Sequence, residues 1–259
     1  MSDLHGSSSG SIAASGRWLV FGASSAMAQA VVRRVASAGG EVMLVARDPE
    51  KLRHVGDDAR VRGAKIADLL QADLDLVGGH AALLDRAFAA LGTVDVVLIA
   101  QGVLAAPEDC ERDPALAERV LVTNMVGAAL LAQAAALRLA AQGSGTLVGI
   151  SSVAGDRVRG SNYQYGAAKA GFSAFLEGLR CRMSGRGIRV VTVKPGFVDS
   201  PMTAHLAKGP LWASPDAVAG VILRAAERGR DVVYAPGYWR LIMLAVRALP
   251  RWLLIKLRL

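Results

Sequence analysis

A phenol and an ammonium stand four residues apart in Tyr165-Gly166-Ala167-Ala168-Lys169. On a helix, such a pair lies one above the other on a single face. A free tyrosine, with a pKa of about 10, is a poor acid–base group at neutral pH. A fixed cation beside it favours the phenolate and brings the pKa toward the working range. The pair is therefore suited to moving a proton at a substrate oxygen, and the lysine can also hydrogen-bond the hydroxyls of a cofactor. Taken alone, the pattern equally describes a solvated surface pair. Other segments turn the balance toward chemistry. Thirteen residues before Tyr165, Ile150-Ser151-Ser152-Val153 ends an apolar run, where the sites of open α/β sheets form. Asn124 falls inside a helical stretch, where asparagine has poor propensity. Lys194-Pro195-Gly196-Phe197-Val198 supplies a turn suited to meeting the reacting end of a cofactor.

A phosphate-binding segment is expected near the N-terminus, in Val20-Phe21-Gly22-Ala23-Ser24-Ser25-Ala26-Met27-Ala28. A glycine turn that opens a helix aims free N–H groups and the positive end of the helix dipole at a pyrophosphate. Gly22, Ser24, Ser25, Ala26 and Met27 form the candidate cradle. Only Gly22 of the usual glycines is present, and Ala26 and Ala28 stand where glycine normally permits close approach. An ordinary strand-to-helix turn is the other reading. About 20 residues after the first glycine, an NAD site usually carries a carboxylate. Here that place is taken by Ala46, followed by Arg47, which favours NADP over NAD. Asp48 opposes this if the loop turns it inward, and Arg47 also reads as a solvated surface charge.

The hydropathy of the chain predicts the elements that must position these residues. Apolar runs at Trp18–Phe21, Glu41–Ala46, Lys65–Leu70, Val94–Ala100, Thr146–Ile150 and Ile188–Val193 read as strands. Helical stretches run over Ala26–Ala38, Pro49–Arg60, Gly79–Leu91, Pro114–Ala141, Tyr163–Met183 and Pro215–Arg228. Near-continuous apolar strands separated by helices predict a parallel sheet covered on both faces. That is the doubly wound α/β architecture, a Rossmann fold, in one domain spanning residues 17–237.

Composition narrows the function classes. A chain of 259 residues, 53% hydrophobic and 5% aromatic, suits helices packed tightly on a sheet and excludes a disordered protein. Cys110 and Cys181 offer neither a disulfide framework nor metal-ligand spacing, so no metal is expected and a reducing cytoplasm is the expected compartment. Residues 1–16 carry a Ser/Gly run without a basic region before an apolar stretch, and read as a disordered leader. No segment reads as the roughly 18 uncharged apolar residues of a membrane span. A formal charge of +8 raises nucleic acid or an anionic membrane as partners, but no nucleic-acid motif is present.

The ordered set of Asn124, Ser152, Tyr165, Lys169 and the Pro-Gly turn resembles the short-chain dehydrogenase/reductase family, from Arg17 to about Tyr234. The resemblance implies an NADP-dependent oxidoreductase acting on a ketone or alcohol. It implies Tyr165 as acid–base, with Lys169 lowering its pKa and holding the nicotinamide ribose. Ser152 would polarise the substrate oxygen, and Asn124 would hold a water linking Lys169 to solvent. Asp73-Leu74 matches the pair that contacts adenine. Ala100-Gln101-Gly102 sits at the family's Asn-Ala-Gly, departing from it at Ala100 and Gln101. Pro195, Gly196 and Val198 would meet the nicotinamide. Tyr163, which lacks a lysine four residues on, and Ser151, one residue early, read as decoys.

Residues 238–259 depart from an ordinary ending. Arg240, Arg247, Arg251 and Arg258 recur at spacings that share one helical face if Pro250 only kinks the helix, and Trp239 and Trp252 flank an apolar body. Such a basic amphipathic segment reads as a membrane-surface helix, or as an extension packed on the substrate pocket or a partner subunit. Ser152 to Arg159, Lys194 to Leu206 and this tail are similar to the reductases of decaprenylphosphoryl-2-keto-erythro-pentose. That narrower likeness implies a lipid-linked keto-sugar and a cytoplasmic enzyme peripheral to the inner membrane surface. The loop from Ser200 to Pro210 reads as a substrate lid, with Asp199, Thr203 and His205 undecided. The Ala-rich stretch Val126–Ala141 reads as a subunit interface of a homo-oligomer. Two other functions stay open: a catalytically silent NADP-binding sensor or scaffold, and a sugar-nucleotide epimerase, for which the chain is short.

Overall fold

Seven strands form one parallel sheet in the computed structural model, which describes residues 14–250 and 252–253. They are β1 (Arg17–Phe21), β2 (Glu41–Ala46), β3 (Lys65–Gln71), β4 (Val96–Ile99), β5 (Gly145–Ile150), β6 (Ile188–Pro195) and β7 (Val232–Ala235). Their order is β3-β2-β1-β4-β5-β6-β7. The nine α-helices among the described residues are α1 (Ala26–Ser37), α2 (Pro49–Val61), α3 (His80–Leu91), α4 (Pro107–Arg112), α5 (Pro114–Leu121), α6 (Gly127–Gln142), α7 (Tyr163–Met183), α8 (Pro215–Arg228) and α9 (Trp239–Ala248). This is the doubly wound Rossmann architecture expected from the alternation of apolar runs.

Local chemistry fixes the helix starts. The Ser25 hydroxyl accepts from the Ala28 amide at 3.2 Å at the head of α1. Asp48 accepts from the Glu50 and Lys51 amides at 3.1 and 3.0 Å, with Pro49 in the first turn of α2. Ser214 caps α8 in the same way. Side chains that satisfy these otherwise free N–H groups each contribute about 1 kcal/mol. The sheet separates two apolar layers. On one face Val20, Leu44, Leu98 and Val191 pack under α1, α2 and α8. On the other, Phe21, Leu147 and Phe172 pack with α3, α6 and α7. Each such side chain contributes roughly 1.5–3 kcal/mol by leaving water.

Several expectations change. The leader was expected to run through residue 16, but Ala14 is 7% exposed within the core and the Gly16 carbonyl accepts from the Glu41 amide at 3.1 Å. Residues 1–13 lie outside the described part. β7 is a seventh strand that the apolar runs did not announce, because it has only four residues and one open edge. The helix expected over Pro114–Ala141 is α5 and α6 joined by a π-helical turn, Val122–Val126. By length and composition alone the Pro114–Gln142 run is long and apolar enough to cross a membrane, as the core helix of a protein can be. The reason for its apolarity is packing, since 56% of its most apolar window is buried in the protein.

The tail also differs. α9 is docked on the domain, with Trp239 and Met243 buried against Val153. It stops at Ala248 because Leu249, held extended before Pro250, cannot continue a helix. The arginine stripe therefore comprises Arg240 and Arg247 on α9, and Arg251 and Arg258 lie outside the described residues.

Candidate active site

A cleft of about 290 Å³ opens over the C-terminal ends of β1 to β4, where the strand order reverses between β1 and β4. Open α/β sheets bind ligands at such a switch point, because loops there diverge and helix N-termini converge. Gly22, Ser24, Ser25, Ala26 and Met27 line it after β1, and Ala46 and Arg47 after β2. Asp73 and Leu74 line it after β3, and Ala100, Gln101 and Gly102 after β4. The structure thus brings together in one cleft the segments expected for the pyrophosphate, ribose and adenine of a dinucleotide.

The surviving glycine of the turn has a geometric cause. Gly22 has φ +73°, and a Cβ there would meet the Gln101 backbone nitrogen at 2.5 Å. Any side chain would force β1 and β4 apart at the cleft floor. Asp48 is spent on capping α2 and does not line the cleft, which leaves the Arg47 guanidinium there without an acidic partner among the described residues. Both ends of the Gln101 carboxamide are buried with no hydrogen-bond partner. The sequence reading did not single out Thr123 and Asp75, which also line the cleft and share a hydrogen bond of 2.7 Å. A Thr before the helical asparagine gave no signal of this role.

A second cavity, of about 140 Å³, shares Met202 with the first. Ser152, from the end of β5, and Tyr165, from the first turn of α7, stand in its wall. Lys169, one turn on, is 2% exposed and donates to the Ile150 carbonyl at 3.0 Å. Its ammonium lies 5.8 Å from the centre of the Tyr165 ring. Burial draws the Lys169 pKa down from 10.5 to about 8. Burial also raises the Tyr165 phenol above its usual value, while a hydrogen bond with Ser152 pulls the other way. In this structure Lys169 does not lower the phenol, because its ammonium is turned to the Ile150 carbonyl and burial weakens its own charged form. At neutral pH Tyr165 is a protonated phenol, the state of a proton donor.

Asn124 occupies the π-helical turn and is fully buried. Asn124 Nδ2 donates to the Val120 carbonyl, one turn back along the helix, at 2.8 Å. The same amide donates to the Val103 carbonyl at 2.8 Å, and Oδ1 accepts from the Val103 N–H at 3.3 Å. The asparagine thus clamps the loop after β4 under the cleft. Ser151 hydrogen-bonds the Lys169 carbonyl at 3.0 Å and Ser173 at 2.6 Å, pinning β5 to α7. Tyr163 is exposed and reaches Glu111. Neither lines a cavity.

Gly196 lines the second cavity, while Pro195 and Val198 line neither. Pro195 ends β6, and Val198 is a core residue whose carbonyl accepts from Thr203 at 2.6 Å. The loop from Ser200 to Leu206 covers both spaces: Ser200 and Pro201 face the first, Thr203 and Leu206 the second. His205 is exposed and Asp199 pairs with Lys208 at 2.7 Å, so neither faces the second cavity. Trp239, Met243 and Val246 of α9 form a wall that residue types alone did not assign. Among the described residues no cluster could hold a metal ion.

The family profile described as short chain dehydrogenase matches residues 17–210. An uncharacterized oxidoreductase of Mycobacterium tuberculosis is 35% identical over 234 residues, covering 90% of this chain and 94% of the relative. One of Streptomyces coelicolor is 40% identical over 237 residues, covering 90% and 92%. The cis-4-hydroxycyclohexanecarboxylate dehydrogenase of Sinomonas cyclohexanicum is 33% identical over 192 residues, covering 73% and 75%. The crystal structure of a short-chain type dehydrogenase/reductase from Mycobacterium marinum superposes with a TM-score of 0.75 at 25% identity, covering 85% and 94%. With the switch-point cleft, and with the match running through both cavities, the chain belongs to the short-chain dehydrogenase family of NAD(P)-dependent oxidoreductases.

Proposed function

We propose that this chain is an NADP-dependent reductase of ketones, or dehydrogenase of the matching secondary alcohols, with Tyr165 as the proton donor. The observation that carries the reading is the second cavity, where Ser152 and Tyr165 face one space beside the nucleotide cleft with Lys169 buried behind. The Sinomonas relative, whose name describes the oxidation of a ring alcohol, supports the alcohol–ketone class. The cleft fits a dinucleotide: the unpartnered Gln101 amide and Arg47 offer a donor, an acceptor and a cation. Gly22, Ser24, Ser25, Ala26 and Met27 would hold the pyrophosphate, Asp73, Leu74, Ala100 and Gly102 the adenosine end, and Lys169 with Gly196 the nicotinamide side. Arg47, free of Asp48, supports NADP over NAD. When bound, the cofactor supplies a hydride to the carbonyl carbon. Tyr165 gives its phenolic proton to the carbonyl oxygen, and Ser152 orients that oxygen by a hydrogen bond, while Lys169 behind them faces the ribose side.

Fluorescence titrations with NADPH and NADH, paired with turnover on a ketone panel, test this reading. NADPH should bind about 10-fold or more tightly than NADH, with the preference lost in Arg47→Gln. Binding without turnover on any ketone or alcohol would favour a silent sensor.

The outer face of α9 supports a peripheral membrane contact and a lipid-linked carbonyl substrate, such as the keto-sugar of the narrower likeness. Leu241 and Leu244 are 71% and 67% exposed there, beside Arg240 and Arg247. Wild-type protein should sediment with anionic vesicles and Leu241→Glu/Leu244→Glu should not. Val126, Leu130 and Leu137, exposed on the π-helical turn and α6, support a homo-oligomer through that face.

A further inference from the structure

The wall of the second cavity carries a charge that the proton-transfer group does not use. Arg159 lines it, partly buried, and no carboxylate or carbonyl receives its guanidinium among the described residues. Burial lowers its pKa, with no neighbouring acid to offset the loss of hydration. The acid nearest in sequence, Asp156, is committed elsewhere: it accepts from Lys194 Nζ at 2.5 Å and from the Tyr234 hydroxyl at 2.7 Å. Arg157, the other cation in the wall, donates to the Leu249 carbonyl at 3.2 Å and so fastens the end of α9. Among the described residues no acidic side chain lines this cavity.

Two further polar groups in the same wall lack partners among the described residues. Asn162 Oδ1 and Trp239 Nε1 are buried without a hydrogen bond. Asn162 stands at the head of α7, a helix of 21 residues whose first amides no side chain caps. The positive end of that helix dipole therefore adds to the field of Arg159. Elsewhere the lining is apolar, with Leu104, Phe197, Leu206 and Met243. A desolvated guanidinium without a partner costs stability, and a substrate anion removes that cost by forming a paired, bidentate contact in a water-poor space.

We infer that the substrate is an amphiphile with an apolar body and one anionic substituent, a carboxylate or a phosphoryl group, held by Arg159. This deepens the reading of Tyr165 as proton donor: the anion at Arg159 orients the carbonyl or hydroxyl toward Ser152 and Tyr165. Arg159 is then the specificity-determining residue of the cavity.

The test uses the full-length protein with NADP present and Trp fluorescence as readout, since Trp239 lies in the wall. Cyclohexanecarboxylate and cyclohexyl phosphate are titrated against the neutral cyclohexanecarboxamide. One of the two anions should bind about 10-fold or more tightly than the carboxamide, and the tighter one names the anion class. Arg159→Gln should reduce that ratio to near one, and Arg159→Lys should restore part of it. Equal affinities in the wild type, no saturable binding of either anion, or a preference that survives Arg159→Gln would overturn the inference. Anion binding through Arg159 with no turnover of the corresponding oxo and hydroxy compounds would leave the anion site standing and refute the redox role of Tyr165.

Discussion

At Lys169 a buried ammonium with one carbonyl partner has lost most of its hydration, and its pKa falls to about 8. The unfolded chain binds that proton up to pH about 10.5, so stability rises with pH between 8 and 10.5, and below pH 8 the folded protein carries the full penalty. Lys169→Met should therefore raise the unfolding free energy at pH 7 by on the order of 2 kcal/mol, after about 1 kcal/mol is lost at the unpaired Ile150 carbonyl. By pH 10.5 the gain should have given way to a small net loss, as denaturant titrations at the two pH values would record, and a gain independent of pH would refute the account. Turnover should disappear in the same variant. Tyr165→Phe removes the proposed proton donor and should lower kcat by about 10²–10⁴-fold with cofactor affinity little changed. Because burial keeps the phenol protonated, ketone reduction should hold its rate through neutral pH and fall in alkali, while alcohol oxidation rises with pH.

Elements meet at Gly196 and at Asn124. A Cβ on Gly196 would stand 1.9 Å from Cε2 and Nε1 of Trp239, so the glycine after β6 exists to let the α9 indole lie against the chain. Gly196→Ala should undock α9 and open the cavity wall. Faster amide exchange over residues 239–248, with protection of β1 to β6 retained, is the expected signature; unchanged exchange would separate the glycine from α9. Asn124→Leu should destabilise by about 2–4 kcal/mol, because the Val120 carbonyl and both polar groups of Val103 lose their partner inside the protein. Thermal unfolding would measure it, and a loss below about 0.5 kcal/mol would contradict the clamp. The asparagine was conspicuous in the sequence for its poor helix propensity, yet only the π-helical turn explains what its amide satisfies.

In the whole molecule, the apolar chain is divided between core and surface in a way that composition does not show. The α5–α6 run is uncharged over most of its length because one side packs on the sheet, while Leu130 and Leu137 are left facing out. If that face joins subunits, Leu130→Glu/Leu137→Glu should yield monomers in analytical ultracentrifugation with the fold retained, and an unchanged mass would move the interface elsewhere. The strands were legible because strands buried on both faces are continuous apolar runs, a pattern that survives without tertiary information. β7 was not, since a four-residue edge strand leaves too short a run to distinguish from a loop.

By itself the sequence determined the order of β1 to β6 and the long helices between them, and with it the switch point whose cleft Gly22, Arg47, Asp73 and Gly102 line. It also determined the Ser152, Tyr165 and Lys169 triplet, because strand ends and helix turns place residues at fixed spacing. Tertiary structure alone decided the protonation of Tyr165 and Lys169, since desolvation depends on what packs around a group rather than on its neighbours in the chain. It decided, too, that the C-terminal helix walls the second cavity: a basic amphipathic segment has an apolar face, and only the Gly196 surface fixes what that face covers.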